Sequence, residues 1–359
     1  MRKALRLALQ GEGKTSPNPM VGALIVQQGQ IIGRGFHARA GSPHAEILAL
    51  QQAGDNSRGA TLYVTLEPCS HHGRTPPCVD SVIASGVKRV VAAMGDPNPL
   101  VSGRGFSKLR RAGVEVNCGV LENEARRINE VFIKYIQTRN PFVVMKAAIS
   151  LDGKIATANG ESKWISSPNS RQMVHHLRNK YDAVMIGVET AIQDDPLLTT
   201  RLSPEIQQRS PVRIIVDSKL RLPLGSKLVL TASQSPVIVA TTANSLPEKR
   251  SELEARGVDV ILLPDSNDRV SLSSLMDCLG SREISSVLIE GGATVNAAAL
   301  ESGIVDKVLL FFAPILIGGT TSPGFVGGAG CKDLASAWSL ESISIKNIGP
   351  DLLFEGYVK

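Results

Sequence analysis

The chain is short of aromatic residues, short of cysteine and without a long apolar run, and each shortage removes a class of protein. Phe, Trp and Tyr make up only 4% of 359 residues. Cores must therefore be built from Val, Ile, Leu and Ala. The aromatic platforms on which extruded nucleic-acid bases stack are also scarce. Five cysteines, an odd number spread over a long chain, do not make a disulfide framework. They point to a reducing compartment, the cytoplasm. No stretch is long and apolar enough to span a bilayer. The start, Met1-Arg2-Lys3-Ala4-Leu5-Arg6-Leu7-Ala8-Leu9-Gln10, imitates a signal peptide. Arg6 interrupts its apolar run, and no small-residue cleavage site follows, so an amphipathic first helix is expected instead. No short-period repeat, low-complexity stretch or Gly/Ser linker is present.

What is there reads as an α/β protein of two closely apposed domains. The length exceeds what one ordinary core needs. Helical and strand-like patterns alternate, and Arg139-Asn140-Pro141 marks the expected boundary, giving domains 1–140 and 141–359. In the first, helices are expected over 2–11, 44–53, 77–85, 103–112 and 121–138. Its strands are expected over 23–26, 31–36, 61–66 and 89–93. In the second, strands are expected over 142–149, 183–187, 213–217, 237–240, 259–263, 286–290 and 307–313. Formal charge is uneven: up to Asn140 there are 18 Lys and Arg against 10 Asp and Glu, and beyond it 21 against 23. A basic first domain fits a phosphorylated substrate, a nucleic acid, or ordinary solvated surface charge.

The strongest chemical signal is His44-Ala45-Glu46, Pro68-Cys69 and Cys78. One imidazole and two thiolates make three ligands for Zn²⁺ and leave a fourth position open for water, the mark of a catalytic metal. Glu46 stands where the proton carrier for that water belongs. A non-ligand Glu beside a His/Cys/Cys set is the pattern of zinc deaminases. Many of them space the cysteines as Cys-x-x-Cys. Here Ser70-His71-His72-Gly73-Arg74-Thr75-Pro76-Pro77 intervenes, adding two imidazoles and a guanidinium. Arg74 there is either a phosphate clamp or loop surface. Later, Ser285 to Asn296 reads as strand, Gly291-Gly292 turn and helix, a geometry that also suits a phosphate. Gly11-Glu12-Gly13-Lys14-Thr15 lacks the first glycine and the preceding strand of a P-loop and is rejected.

Beyond single motifs, the string Thr65 to Cys78, with Ser16-Pro17-Asn18-Pro19-Met20-Val21-Gly22 upstream, closely resembles the bifunctional deaminase/reductase family of riboflavin biosynthesis. So do Lys146-Ala147-Ala148-Ile149-Ser150-Leu151-Asp152-Gly153-Lys154, Trp164-Ile165-Ser166-Ser167, Asp194 to Thr199 and Glu290-Gly291-Gly292. The resemblance implies a cytidine-deaminase-like three-layer domain followed by a dihydrofolate-reductase-like domain that uses NADPH. It implies that 2,5-diamino-6-ribosylamino-4(3H)-pyrimidinone 5′-phosphate loses its 2-amino group, and that the ribosyl group is then reduced to ribityl. By the same resemblance Asn18, His37, His71 and Arg74 hold the deaminase substrate. NADPH contacts fall on Ala148, Trp164, Thr190, Asp194, Ser218 and the turn from Gly292. Reductase substrate contacts fall on Ser162, Arg178, Leu198, Arg201 and Glu290, with Arg178 and Arg201 chemically suited to the 5′-phosphate. Asp194 is a candidate proton donor, and equally a capping Asp before Asp195-Pro196. His175-His176 reads as helix surface. The expected partner is a small phosphorylated pyrimidine, with no nucleic acid and no membrane, and the chain is expected to form a homo-oligomer. A nucleic-acid-editing deaminase is disfavoured by the long cysteine spacing and the few aromatics; a binding protein with a dead site is disfavoured by the intact His44, Glu46, Cys69 and Cys78.

Overall fold

The computed structural model describes residues 1–70, 77–99, 101–206, 208–266 and 268–359. The chain divides into two compact units, Met1–Arg139 and Asn140–Lys359.

Unit 1 begins with helix α1 (Arg2–Ala8), followed by strands β1 (Gly22–Gln27) and β2 (Gln30–Phe36). Helix α2 (Ala45–Ala53), strand β3 (Thr61–Val64), helix α3 (Cys78–Ala84) and strand β4 (Arg89–Ala92) come next. Helix α4 (Arg104–Arg111), strand β5 (Glu115–Cys118) and helices α5 (Glu122–Ile128) and α6 (Glu130–Thr138) complete it. The sheet order is β2-β1-β3-β4-β5, with β3, β4 and β5 parallel and β1 antiparallel to both its neighbours. The β1–β2 turn places Gln28 and Gly29 at positive φ (49° and 78°), the twist that a two-residue hairpin needs.

Two glycines set the layers. Gly22 and Gly35 stand on opposite faces, because Gly22 pairs with Phe36 and Gly35 with Ala23. A Cβ on Gly22 would lie 2.1 Å from Ala4 O of α1, and one on Gly35 would lie 2.1 Å from Ala45 O of α2. Hence α1 and α2 cover opposite faces, and the unit has the three layers expected of it. Its core is built mainly from Val, Ile, Leu and Ala, with Phe106 as a buried aromatic ring within it.

Unit 2 runs through β6 (Phe142–Ser150), α7 (Pro168–Lys180), β7 (Ala183–Gly187), α8 (Val188–Asp194), β8 (Val212–Val216), α9 (Lys227–Leu230), β9 (Val237–Thr241) and α10 (Pro247–Glu254). It continues with β10 (Asp259–Leu262), a short hairpin of β11 (Asp265–Ser266) and β12 (Arg269–Val270), α11 (Leu272–Ser281) and β13 (Ser286–Ile289). It ends with α12 (Ala293–Glu301), β14 (Lys307–Ala313), β15 (Leu340–Ile348) and β16 (Asp351–Val358). The sheet order is β10-β9-β8-β7-β13-β6-β14-β16-β15. From β10 to β14 all neighbours are parallel; β16 and β15 return antiparallel. Alternate residues feed separate cores: Met185 and Ile214 enter one, Ile186 and Ile215 the other. Both faces are thus covered, as parallel sheets require.

Three expectations need correction. The helix expected over 121–138 is two helices, because Asn129 leaves helical geometry (φ −106°, ψ 18°). Strand β5 was not expected; it is short and mostly exposed, so it shows no apolar alternation. The β15–β16 hairpin was not expected either, since β15 is exposed along most of its length and lacks the signature of a half-buried strand. Among the described residues no helix is long and apolar enough to cross a membrane.

Candidate active sites

In unit 1 the metal-type residues converge from two strand-to-helix connections. His44 is the residue before α2 and has extended dihedrals (φ −72°, ψ 158°). Cys69 follows β3, and Cys78 opens α3 behind Pro77. His44 Nδ1 and the two Sγ atoms all lie within 4.8 Å of one another. Nδ1 is 3.0 Å from Cys78 Sγ and 3.6 Å from Cys69 Sγ. Backbone bonds hold the two cysteines together: Cys78 N–H donates to Cys69 Sγ at 3.2 Å, and Val79 N–H donates to Cys69 O at 3.2 Å.

The electrostatics of this set fit a divalent cation. Contact with Cys78, and then His44, pulls the Cys69 thiol down to about 4, while Cys69 and burial push the Cys78 thiol far up. Two sulfurs this close do not both ionise unless positive charge is placed between them. One nitrogen and two sulfurs in this arrangement suit Zn²⁺. The hydrogen bond to Cys69 raises His44 from its ordinary value. Glu46, in the first turn of α2, is buried; burial, and then the Cys69 charge, lift its carboxyl to about 7.

His37 is also buried, and burial lowers its pKa. Its Nδ1 faces Pro43 O at 3.4 Å and its Nε2 faces Asn18 Nδ2 at 3.3 Å. A neutral ring satisfies both contacts: Nδ1–H donates to Pro43, and Nε2 accepts from Asn18. The ring stands edge-on to His44, with centroids 5.4 Å apart. Asn18, His37, His44, Glu46, Cys69 and Cys78 are thus linked in one site. His71 and Arg74 fall outside the described residues.

Glu67 was missed by the sequence reading. It is buried, and its carboxylate accepts backbone N–H groups from Asp96 (3.1 Å), Gly103 (3.0 Å) and Phe106 (3.2 Å). It therefore fastens the connection after β4 to the segment carrying Cys69. An acid beside a ligand, in an otherwise apolar strand end, was the available signal.

In unit 2 the proposed residues gather mainly where the parallel strands end, the usual crevice of open α/β sheets. Ala148 lies in β6, Thr190 in the helix after β7, Ser218 just after β8, and Glu290 and Gly292 just after β13. A Cβ on Gly292 would stand 3.3 Å from Thr190 Oγ1, so these two adjoin. Gly292 caps α12 without any side-chain bond. An uncapped helix start at the strand ends fits a dinucleotide phosphate. Ser218 Oγ accepts from Val270 N–H at 3.1 Å, and Ser218 O accepts from Thr242 Oγ1 at 3.0 Å. Trp164 is 70% exposed, with the Arg171 guanidinium 4.6 Å from its ring centre. Beside it, Lys163 pairs with Asp194 at 3.1 Å, tying the β6–α7 connection that carries Ser162 to the end of α8.

The centre of this site is an ion cluster. Arg178 Nε and Nη2 donate to the two Glu290 oxygens at 2.6 and 2.8 Å, and Nη1 donates to Thr199 O at 3.2 Å. Burial pushes the Glu290 carboxyl up, but Arg178, with Lys146 and His175, outweighs it and holds Glu290 below the ordinary glutamate value. Burial lowers the Lys146 ammonium; Glu290 opposes that shift. Lys146 also lies 5.7 Å from the Phe311 ring centre. His175 is not plain helix surface: Nδ1 accepts Arg201 N–H at 3.3 Å, and burial, with Arg178 and Arg201 nearby, lowers it to about 4. Leu198 is buried at φ 54°, and Arg213, buried on β8, donates to Leu197 O at 3.3 Å. Lys146, His175 and Arg213 were missed; a lysine inside the apolar run Phe142–Ser150 was the clearest unused signal.

Together these features define a class: a zinc-type deaminase domain joined to a parallel-sheet reductase domain. Two family models agree, that of the cytidine and deoxycytidylate deaminase zinc-binding region over residues 1–94 and that of the RibD C-terminal domain over residues 141–354. Riboflavin biosynthesis protein RibD of Actinobacillus pleuropneumoniae is 46% identical over 99% of this chain and 93% of its own length. RibD of Aquifex aeolicus is 46% identical over 98% and 96%. Among solved structures, Acinetobacter baumannii RibD superposes with a TM-score of 0.89 at 39% identity, covering 100% of this chain and 97% of that one. The Thermotoga maritima diaminohydroxyphosphoribosylaminopyrimidine deaminase/5-amino-6-(5-phosphoribosylamino)uracil reductase gives 0.86 at 38% identity, with the same coverage. The chain belongs to the RibD family of riboflavin biosynthesis proteins.

Proposed function

We propose that the chain catalyses two successive steps of riboflavin biosynthesis, hydrolytic deamination in residues 1–140 and NADPH-dependent reduction in residues 141–359. The observation that carries this reading is the buried Glu46 carboxyl beside the convergent His44, Cys69 and Cys78. Zinc held by those three residues supplies the polarisation that makes water nucleophilic at neutral pH. Glu46, buried two residues beyond His44, is the carboxyl placed to take a proton from the attacking water and return it. It delivers that proton to the pyrimidine ring nitrogen, then assists the amine. Water's oxygen replaces the 2-amino nitrogen, which leaves as ammonia. Asn18 gives its Nδ2 to His37, so its Oδ1 is turned to accept from the pyrimidine. His71 and Arg74 belong to the same substrate site by resemblance.

In the second half, Ala148, Trp164, Thr190, Asp194, Ser218 and the turn from Gly292 hold NADPH, which supplies the hydride to the sugar's C1′. Ser162, Leu198, Arg201 and Glu290 hold the deaminated ribotide. Arg178 is engaged by Glu290 and Thr199, so we assign it to orienting Glu290, and assign the 5′-phosphate to Arg201, which is exposed. Asp194 is paired with Lys163 and acts here as a fastener of the cofactor connection. Lys146, grouped with Glu290 and with an ammonium that burial makes more acidic, is assigned as the proton donor.

The substrate is a small phosphorylated pyrimidine, and the thiol ligands suit the reducing cytoplasm. A homo-oligomer is supported by the exposed edge: Ile343 and Ile345 of β15, with Leu334 and Leu352, are apolar and uncovered. The test offers the diaminopyrimidinone ribotide with NADPH and follows ammonia release and NADPH absorbance together. Both signals are expected; ammonia without NADPH oxidation, or neither, sinks the two-step reading.

A further inference from the structure

We propose that Asn129 is a positioning residue of the deaminase, holding in place the loop that carries Asn18. The inference rests on the reading of unit 1 given above. The loop is Ser16-Pro17-Asn18-Pro19-Met20. Two of its five residues are proline and have no N–H, so it cannot join the sheet through an ordinary ladder. Strand β1 begins only at Gly22. At its start, Asn18 N–H donates to Thr15 O at 2.7 Å.

Asn129 secures the other end. Its Oδ1 accepts Met20 N–H at 2.8 Å, and its Nδ2 donates to Met20 O at 3.0 Å. One side-chain amide thus supplies the donor and acceptor that a facing strand residue would offer. Asn129 is 2% exposed and lies 109 residues from Met20 in sequence. It sits at the joint between α5 and α6, and its backbone is tied to both: its N–H donates to Ala125 O and Arg126 O, and its O accepts Ile133 N–H. The amide is therefore presented from a fixed point, as a supporting residue requires. From Met20 the contacts run inward through Asn18 to His37, whose ring packs edge-on against His44. The match to the general deaminase zinc-binding region stops at residue 94, so Asn129 comes from outside it. The zinc-binding region provides the metal site; the joint of α5 and α6 fixes where the pyrimidine is gripped.

The test uses the full-length, zinc-loaded protein. Asn129→Ala is expected to raise the deaminase KM about tenfold while kcat, zinc content and NADPH oxidation stay within about twofold. Asn129→Asp, nearly isosteric, serves if the alanine variant fails to fold; the same rise is expected, because its second oxygen faces the Met20 carbonyl. A double-mutant cycle separates positioning from general weakening. In an Asn18→Ala background, Asn129→Ala is expected to add little to KM. Additive losses, an unchanged KM, or loss of zinc from the Asn129 variants overturns the proposal. If Asn18→Ala alone leaves KM unaltered, the proposal falls while the deaminase reading stands; if the unaltered protein releases no ammonia, that reading falls and takes the proposal with it.

Discussion

The two sites solve opposite electrostatic problems. In unit 1, three ligand atoms lie within 4.8 Å of one another, and the two sulfurs among them need a cation if both are to be thiolates. In unit 2, the Glu290 carboxylate lies between two cations of the protein itself, paired with Arg178 and near Lys146. The first site is incomplete without a metal and is chemically specific because of it. The second brings its own opposite charges together, so it can receive a large cofactor by shape and backbone contacts. Metal chemistry dictates residue types; dinucleotide binding dictates mostly where strands end.

That contrast can be broken experimentally. The largest effect should come from chelation. Removing zinc is expected to abolish ammonia release and to leave NADPH oxidation on pre-deaminated substrate intact; parallel loss of both would mean the sites are not independent. Glu46→Gln is expected to keep zinc, measured by metal analysis, and to lower deaminase kcat about 10³-fold, the usual scale of a lost acid–base group. Full activity in that variant would remove Glu46 from proton transfer.

Glu290→Gln probes the ion cluster of unit 2. It leaves the Arg178 and Lys146 cations without their anion, and deleting one partner of a buried pair costs about 3–5 kcal/mol. A lower unfolding midpoint with loss of reduction is expected, and ammonia release should persist. A smaller change separates the two arginines. Arg201→Ala should raise the reductase KM alone, about tenfold, whereas Arg178→Ala should also lower kcat by releasing Glu290. A pure KM effect from Arg178→Ala would return it to the phosphate.

The smallest effect concerns Asp152. Ser150's side chain, and then the N–H groups of Ile317 and Gly318, pull its carboxyl from 3.8 to about 2. A depressed folded-state pKa stabilises above the unfolded value, and that stability is lost as pH falls through the folded one. Urea midpoints should therefore drop between pH 3.8 and about 2, and Asp152→Asn should flatten that drop without touching deamination.

Most of unit 1's site could be read in advance. His44, Glu46, Cys69 and Cys78 are rare residue types at short spacings, and their chemistry is carried by identity alone. Asn18 and His37 were reached by resemblance, and nothing local in the chain pairs them. Glu67 and Asn129 escaped notice because their partners are backbone groups far away, which leave no trace in a motif. In unit 2 the parallel strands were legible, since they are largely continuous apolar runs, but the two-residue strands β11 and β12 were not. The hairpin of β15 and β16 was not, because its exposed face has no apolar period. His175 looked like surface because its helix is polar; Arg178 is its neighbour one turn along that helix, but only tertiary folding brings Arg201 to it.

By itself, the order of residues determined which atoms can bind a metal, where most of the strands run and that two domains form, because those follow from side-chain type and local period. The three-dimensional arrangement alone decided which charges meet. Arg178 faces Glu290 across 112 residues, and Asn129 grips Met20 across 109. Hydrogen bonds and ion pairs act over a few ångströms of space, and the packing of strands and helices sets those distances, not separation along the chain.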